Sequence, residues 1–268
     1  MPLQGKKSRT ILGLACLGAI LVSLLTLWPG NAAEFPDITK RGYLIVAVKD
    51  NIRPLGFRDA TGKLQGLEID LARRLAQELL GDSQKVELLP VTNQKRLAAV
   101  IDGQVDLAIA RITATPVRSR LVSFSLPYYI DGTALVAKVP SPLYPDFVLD
   151  RIAVLNRSST IAVVRYRLPK AKLIGVNSYQ EALNILETGG ATAFAGDTSV
   201  IAGWVQEHPE YNLLPLELSS RPLAAAMPKG KQYRELRQQV NRIISQARAE
   251  GWLLERARYW GLPLNVEF

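Results

Sequence analysis

Histidine and cysteine are almost missing from this chain of 268 residues. Its one cysteine, Cys16, lies in an apolar N-terminal run. From residue 34 onward there can be no disulfide, no cysteine metal site and no thiol nucleophile. Its one histidine, His208 in "EHPEY", reads as a surface residue at a helix end. That argues against Ser-His-Asp catalysis and against histidine-rich zinc sites. Long basic runs with interleaved aromatics are lacking too, so the net charge of +9 does not point to nucleic acid. Carboxylates paired at a motif spacing are also lacking. No catalytic residue, cofactor or metal is therefore expected.

Acidic residues are absent from the first 33 positions, where Lys6, Lys7 and Arg9 supply a basic start. The rest of the chain holds 30 basic against 24 acidic residues, a moderate excess. The start "MPLQGKKSR", the apolar run "TILGLACLGAILVSLLTLW" and the small residues of "PGNAA" predict a secretory signal over 1–33. The apolar run is near spanning length, so an uncleaved anchor is the alternative. Cys16 sits mid-run in "GLAC", a poor site for lipid attachment.

What the chain does have is alternation. "YLIVAV" (43–48), "VELLPV" (86–91) and "DLAIA" (106–110) are short apolar runs of strand length. Between them "LEIDLARRLAQELL" (67–80) and "NQKRLAAVIDG" carry helical spacing, and "FRDATGKLQG" carries turn chemistry. The pattern restarts with "RIAVL" (151–155), "KLIGV" (172–176) and "TAFAG" (192–196). "SSTIAVVRYRL", "SYQEALNILETGG" and "DTSVIAGWVQEH" are its helices, the second opened by Ser178 as cap with Glu181 three residues on. Two β-α-β-α-β units imply parallel pairing and an α/β fold. The extended segments "GTALVAK" (132–138) and "RPLAAAMPKG" (221–230) join the units. The expected architecture is two lobes, each a mainly parallel sheet flanked by helices, with two hinge crossings. Lobe 1 is placed at 34–136 plus 223–268 and lobe 2 at 137–222.

Ligands of open α/β sheets bind beyond the carboxyl ends of strands. The segment "ARITATPVRSRLVSFSLPYY" (110–129) leaves an apolar strand and at once presents hydroxyls and guanidinium groups. Thr113 and Arg118 can converge there on a carboxylate. Ser158, Ser159 and Thr160 open a helix after "RIAVL" and offer a second anion site, and Asp197 can accept an ammonium. Each residue alone also reads as a helix cap or a solvated charge. One arginine, hydroxyls and one carboxylate spread over two lobes match the zwitterionic head of an α-amino acid.

"GKLQGLEIDLARRLA", "DLAIARITATPVRSRLVSFSLPYY", "GDTSVIAGWV" and "ARAEGWLLERARYWG" together resemble the solute-binding proteins of polar amino acid ABC transporters, family 3 of the extracellular solute-binding proteins. The resemblance spans roughly 42–262. It implies a periplasmic binding protein-like fold and a periplasmic location. It implies a free amino acid as ligand, a membrane permease as partner, no nucleic acid, and a monomer. It places the α-carboxylate arginine on Arg118, with the backbone of Arg111 and the hydroxyl of Thr113 beside it. Second-lobe anion contacts fall on Ser158 and Ser159, the ammonium acceptor on Asp197, and a first-lobe ligand contact on Asp50.

The chain departs from the family at "KDNIRPLGF", with Arg53, and at "TNQKR", with Asn93 and Arg96, where many members carry aromatic walls. Fewer aromatic walls and the extra cations Lys49, Arg53 and Arg96 imply a polar or anionic side chain on the ligand, favouring glutamate, aspartate or glutamine. Asp50 argues the other way. Alternatively Arg53 and Arg96 face solvent or pair with Glu68 or Asp70. Two other functions compete with this one. A dehydratase of small carboxylic acids on the same fold would need Glu68, Asp50 or Asp197 as general acid or base. With no kinase, channel or lytic domain in the chain, a sensor would be a stand-alone module.

Overall fold

The short apolar runs form the strands of one large sheet, and the helically spaced runs cover it on both faces. The computed structural model describes residues 33–138 and 151–264. Apart from its last residue, the predicted signal at 1–33 lies outside the described residues, as does the proline-bearing segment 139–147.

The first half begins with helix α1 (Phe35–Arg41) and strand β1 (Leu44–Val48). A small antiparallel sheet follows, of β2 (Asn51–Ile52), β3 (Gly56–Arg58) and β4 (Leu64–Gln65). Then come α2 (Leu67–Leu80), β5 (Val86–Pro90), α3 (Arg96–Ile101) and β6 (Leu107–Ile109). Strand β7 (Ser123–Lys138) is 16 residues long and leads to the second half. That half runs β8 (Arg151–Leu155), α4 (Thr160–Arg167), β9 (Lys172–Val176), α5 (Tyr179–Glu187), β10 (Ala193–Asp197) and α6 (Thr198–Glu207). Strands β11 (Tyr211–Leu213) and β12 (Ser219–Met227) bring the chain back, and α7 (Arg234–Ala249) and α8 (Trp252–Tyr259) close it on the first half.

The sheet order is β5-β1-β6-β12-β7-β10-β8-β9. At one end β5, β1 and β6 are parallel; at the other β10, β8 and β9 are parallel. Each end places its first strand between its second and third, so the two units repeat one topology. The long strands β7 and β12 join them, antiparallel to each other and to their neighbours. Their register shifts between Leu223 and Ala226, opposite Pro127, where a missing donor and an irregular pairing bend the ladder. Both extended joining segments expected from the sequence are these strands.

The local signals work as their chemistry requires. In α2 the side chains of Leu67, Leu71 and Leu75 are buried one turn apart, and Gly81 ends the helix at φ 76°, a left-handed backbone that glycine takes without strain. The Ser178 side chain caps α5 by accepting from the Glu181 N–H at 3.1 Å. Glu181 reaches back to accept from the Asn177 N–H at 2.7 Å, one residue beyond the usual capping box. The long α7 buries Leu236, Val240, Ile243, Ile244 and Ala247 at helical spacing. The stretch read as a turn at 57–66 holds β3 and β4, strands too short for an alternating pattern to reveal.

Each end of the sheet has a core on both faces. Tyr128, Tyr129 and Leu223 pack in the first lobe's core, whereas Ala134 to Ala137 pack in the second lobe's. The change of core along β7 thus falls between Tyr129 and Ala134, ahead of the 136/137 boundary placed from sequence. No helix among the described residues is long and apolar enough to cross a membrane.

Candidate functional site

The carboxyl ends of β1, β5 and β6 face those of β8 and β10 across a cleft, so residues just past each strand become its walls. Two cavities lie there, of about 650 Å³ and about 540 Å³. Lys49, Asp50, Arg53, Asn93 and Arg111 line the larger. Arg96, Arg111, Thr113, Arg118, Ser159 and Asp197 line the smaller. Arg111 is shared by both.

The segment after β6 is held from below. Arg111 has φ 49°, a left-handed backbone that costs a side-chain-bearing residue about 1 kcal/mol or more. Its N–H donates to Glu68 Oε1 at 2.6 Å, and its carbonyl accepts from the Arg96 guanidinium, which also donates to the Ala110 carbonyl at 2.9 Å. Tyr128 donates its hydroxyl to the same Glu68 oxygen at 2.5 Å. Glu68 is fully buried, and burial pushes its carboxyl above the usual range despite these donors. Burial, then Arg111 and Arg118, push Arg96 down to about 10. The role of this network is to fix the path of the Arg111–Arg118 segment.

Arg118 opens a 3₁₀ turn (Arg118–Arg120) and is half-buried. It donates to the Thr113 carbonyl at 2.9 Å, which aims its fork into the smaller cavity beside Thr113 and Thr115. From the second lobe, Asp197 ends β10 and makes an ion pair with the Arg111 guanidinium across the cleft. Burial alone would lower the Arg111 guanidinium; Asp197 and Asp131 outweigh it and hold it above its ordinary value. Asp131, on β7, accepts from Ser199 N–H at 2.9 Å and Ser199 Oγ at 2.7 Å. Burial, with Asp197 nearby, raises its proton affinity.

The other expected residues divide. Ser159 lines the smaller cavity and accepts from Arg221 at 3.1 Å. Ser158 lines neither cavity, and its buried Oγ has no hydrogen-bond partner among the described residues. Lys49 is buried and donates to the Val91 carbonyl at 2.7 Å; burial lowers its ammonium's affinity for the proton, against the pull of Asp50. Asp50 pairs with Arg58 at 3.4 Å. Arg53 stacks 3.9 Å over the Phe57 ring and pairs with Glu207 of the second lobe at 3.5 Å. Neither Arg53 nor Arg96 pairs with Glu68 or Asp70; Asp70 is taken by Arg256 and Trp260.

Sequence reasoning missed the aromatic walls, which come from the second lobe. Tyr179 and Trp204 line the larger cavity. Trp204 belongs to a face of α6 formed by Val200, Gly203, Trp204 and Glu207, and that i, i+3, i+4, i+7 spacing was the available signal. The lobes come close there. A Cβ added at Gly203 would sit 2.2 Å from the Arg53 carbonyl oxygen. Arg221 and Asp131 were also missed; both lie on the crossing strands, whose lateral positions the sequence does not show. Among the described residues no group of three or more His, Cys, Asp or Glu side chains could hold a metal ion.

Residues 44–263 match the model of the bacterial extracellular solute-binding proteins, family 3. A glutamine-binding protein of Geobacillus stearothermophilus is 32% identical over 196 residues, covering 72% of this chain and 75% of that protein. An ABC transporter glutamine-binding protein of Bacillus subtilis is 25% identical over 221 residues, covering 81% and 80%. Among solved structures, an ancestral amino acid-binding protein described as a precursor of cyclohexadienyl dehydratase superposes with a TM-score of 0.65 at 29% identity. It covers 85% of this chain and 100% of that one.

The chain belongs to the bacterial extracellular solute-binding proteins, family 3.

Proposed function

From that membership, we propose that this protein captures one polar amino acid between its lobes outside the cytoplasm and delivers it to the permease of an ABC transporter, with glutamate, aspartate or glutamine as the favoured ligands. The observation that carries the reading is the convergence of Arg118, Thr113, Ser159 and Asp197 on one cavity of about 540 Å³ between two lobes. Arg118 and Thr113 take the α-carboxylate, and the fork of the guanidinium matches its two oxygens. Asp197 takes the α-ammonium. The side chain extends past Arg111 toward the larger cavity, where Lys49, Asp50, Asn93, Tyr179 and Trp204 wait. Binding in the first lobe comes first, because its wall is already ordered. The second lobe then closes about β7 and β12, a hinge of two strands in which few residues move. The predicted signal over 1–33 supports a periplasmic location, where the protein acts as a monomer.

The alternative of a dehydratase asks for a free carboxyl in the cleft. Glu68 is fully buried and lines neither cavity, and Asp50 is paired with Arg58, which supports binding over chemistry; Asp197, paired with Arg111, is the acceptor assigned to the ligand ammonium. A thermal-shift screen of the purified protein against the twenty amino acids and a few carboxylic acids tests the reading. A ligand of the folded state raises the melting temperature. Glutamate, aspartate or glutamine is expected to do so, and leucine and citrate are not. A shift with prephenate-like acids and release of product from them would replace this reading by the enzyme.

A further inference from the structure

Arg111 stands where the two cavities meet, and it is an unusual residue to find there. Its backbone is left-handed at φ 49°, a conformation glycine adopts freely and arginine does not. Something about the side chain therefore offsets the strain. Its guanidinium spans the cleft to Asp197, the group that accepts the ligand's ammonium in the function proposed above. Its side chain is only 18% exposed, and its Nε is buried with no hydrogen-bond partner among the described residues. Arg111 thus occupies the ammonium site with a cation of its own.

A ligand ammonium has to displace that cation. The displaced guanidinium stays tethered at the wall of the larger cavity, the direction in which the ligand's side chain runs. Left alone there it is a poorly hydrated charge, which is costly. We propose that Arg111 selects acidic amino acids by exchanging ion pairs: the ligand ammonium replaces Arg111 on Asp197, and the ligand's side-chain carboxylate takes the released guanidinium.

Only an acidic amino acid leaves every charge matched, with its α-carboxylate on Arg118, its ammonium on Asp197 and its side chain on Arg111. Glutamine leaves Arg111 without an ion-pair partner, with only Asp131 acting on it from beyond contact distance. Arginine and lysine set a like charge against it. The inference rests on the amino acid reading and sharpens it to glutamate and aspartate.

Titration calorimetry of the whole protein with glutamate, aspartate, glutamine and arginine tests it. The wild type is expected to bind glutamate or aspartate about tenfold or more tightly than glutamine, the equivalent of one charge-assisted hydrogen bond in a partly buried site. Arg111→Gly suits the backbone and should erase that preference, with glutamine gaining affinity and the acidic pair losing it. Arg111→Lys should keep part of the preference. Thermal melting reports whether each variant folds, and Arg111→Asn, which also tolerates the left-handed backbone, carries the same test should the glycine variant not fold. An unchanged preference in the glycine or asparagine variant overturns the role of Arg111 and leaves amino acid binding standing. So does a wild type that prefers glutamine or arginine. A folded wild type that binds no amino acid overturns the function and the role of Arg111 together.

Discussion

The two lobes repeat one topology, yet their cleft walls are finished to different degrees. In the first lobe the polar groups beneath the cleft are joined to one another. Glu68 holds Tyr128 and the Arg111 backbone, Arg96 holds the carbonyls of Ala110 and Arg111, and Lys49 holds Val91. In the second lobe Ser158 Oγ and Thr198 Oγ1 are buried with no hydrogen-bond partner among the described residues. Both sit at the starts of helices, near α4 and α6, although the first turn of α6 already donates its Ser199 N–H to Asp131. Unmet atoms remain in the first lobe too, at Glu68 Oε2 and Arg111 Nε, but the hydrogen bonds to Glu68 and from Arg96 fix its backbone path before the ligand arrives. The second-lobe hydroxyls gain most when something arrives to meet them. The difference gives the lobes an order of action, first lobe then second.

Arg118→Ala should break the first-lobe site most severely. Removing the partner of a buried carboxylate costs about 2–5 kcal/mol, or about thirtyfold or more in affinity. Calorimetry with whichever amino acid raises the melting temperature is the measurement, and wild-type affinity in a folded variant would sink the site assignment. Glu68→Ala should instead harm the fold. It orphans the Tyr128 hydroxyl and the Arg111 N–H, at about 1–3 kcal/mol each, read as a lower urea midpoint without ligand.

The same carboxyl links stability to pH. Burial raises the proton affinities of Glu68 and Asp131 in the folded state. Stability from these groups is therefore full below the ordinary carboxylate range, at about pH 4, and is lost as pH rises through their raised values. Glu68→Gln keeps an acceptor and removes the titration, so its urea midpoint should fall less steeply over this window than the wild type's. Parallel profiles would mean that Glu68 is not the source.

Closure itself is probed by Gly203→Ala. Its Cβ meets the Arg53 carbonyl oxygen, and overpacking of that kind costs about 1–3 kcal/mol. The expected result is affinity lower by about tenfold with a larger radius of gyration in solution scattering; an unchanged radius would show that the lobes approach elsewhere. Smallest is Ser158→Ala. The fold should lose nothing, because the hydroxyl has no hydrogen-bond partner among the described residues, while affinity falls by roughly fivefold if the hydroxyl meets the ligand. Lower stability with unchanged affinity would assign Ser158 to the fold.

The amino-acid order was enough to determine the alternation of strands and helices, the two repeated units, the long joining segments and the residues at strand ends. Each of these rests on a pattern a few residues long: the spacing of Leu67, Leu71 and Leu75, the Ser178 cap, the apolar run of β6. It also named Arg118, Thr113, Ser159 and Asp197 as candidates, and they line one cavity because strand ends in such a sheet gather at one cleft. Only the tertiary structure could decide what the side chains do once gathered. It turned Arg96 inward onto backbone carbonyls, stacked Arg53 on Phe57, supplied Tyr179 and Trp204 from the opposite lobe, and set Arg111 on Asp197. These contacts join residues up to 86 positions apart in the chain. A long cation can reach solvent, a carbonyl, a ring or an acid, and only the final packing around it fixes which of these has the lowest free energy.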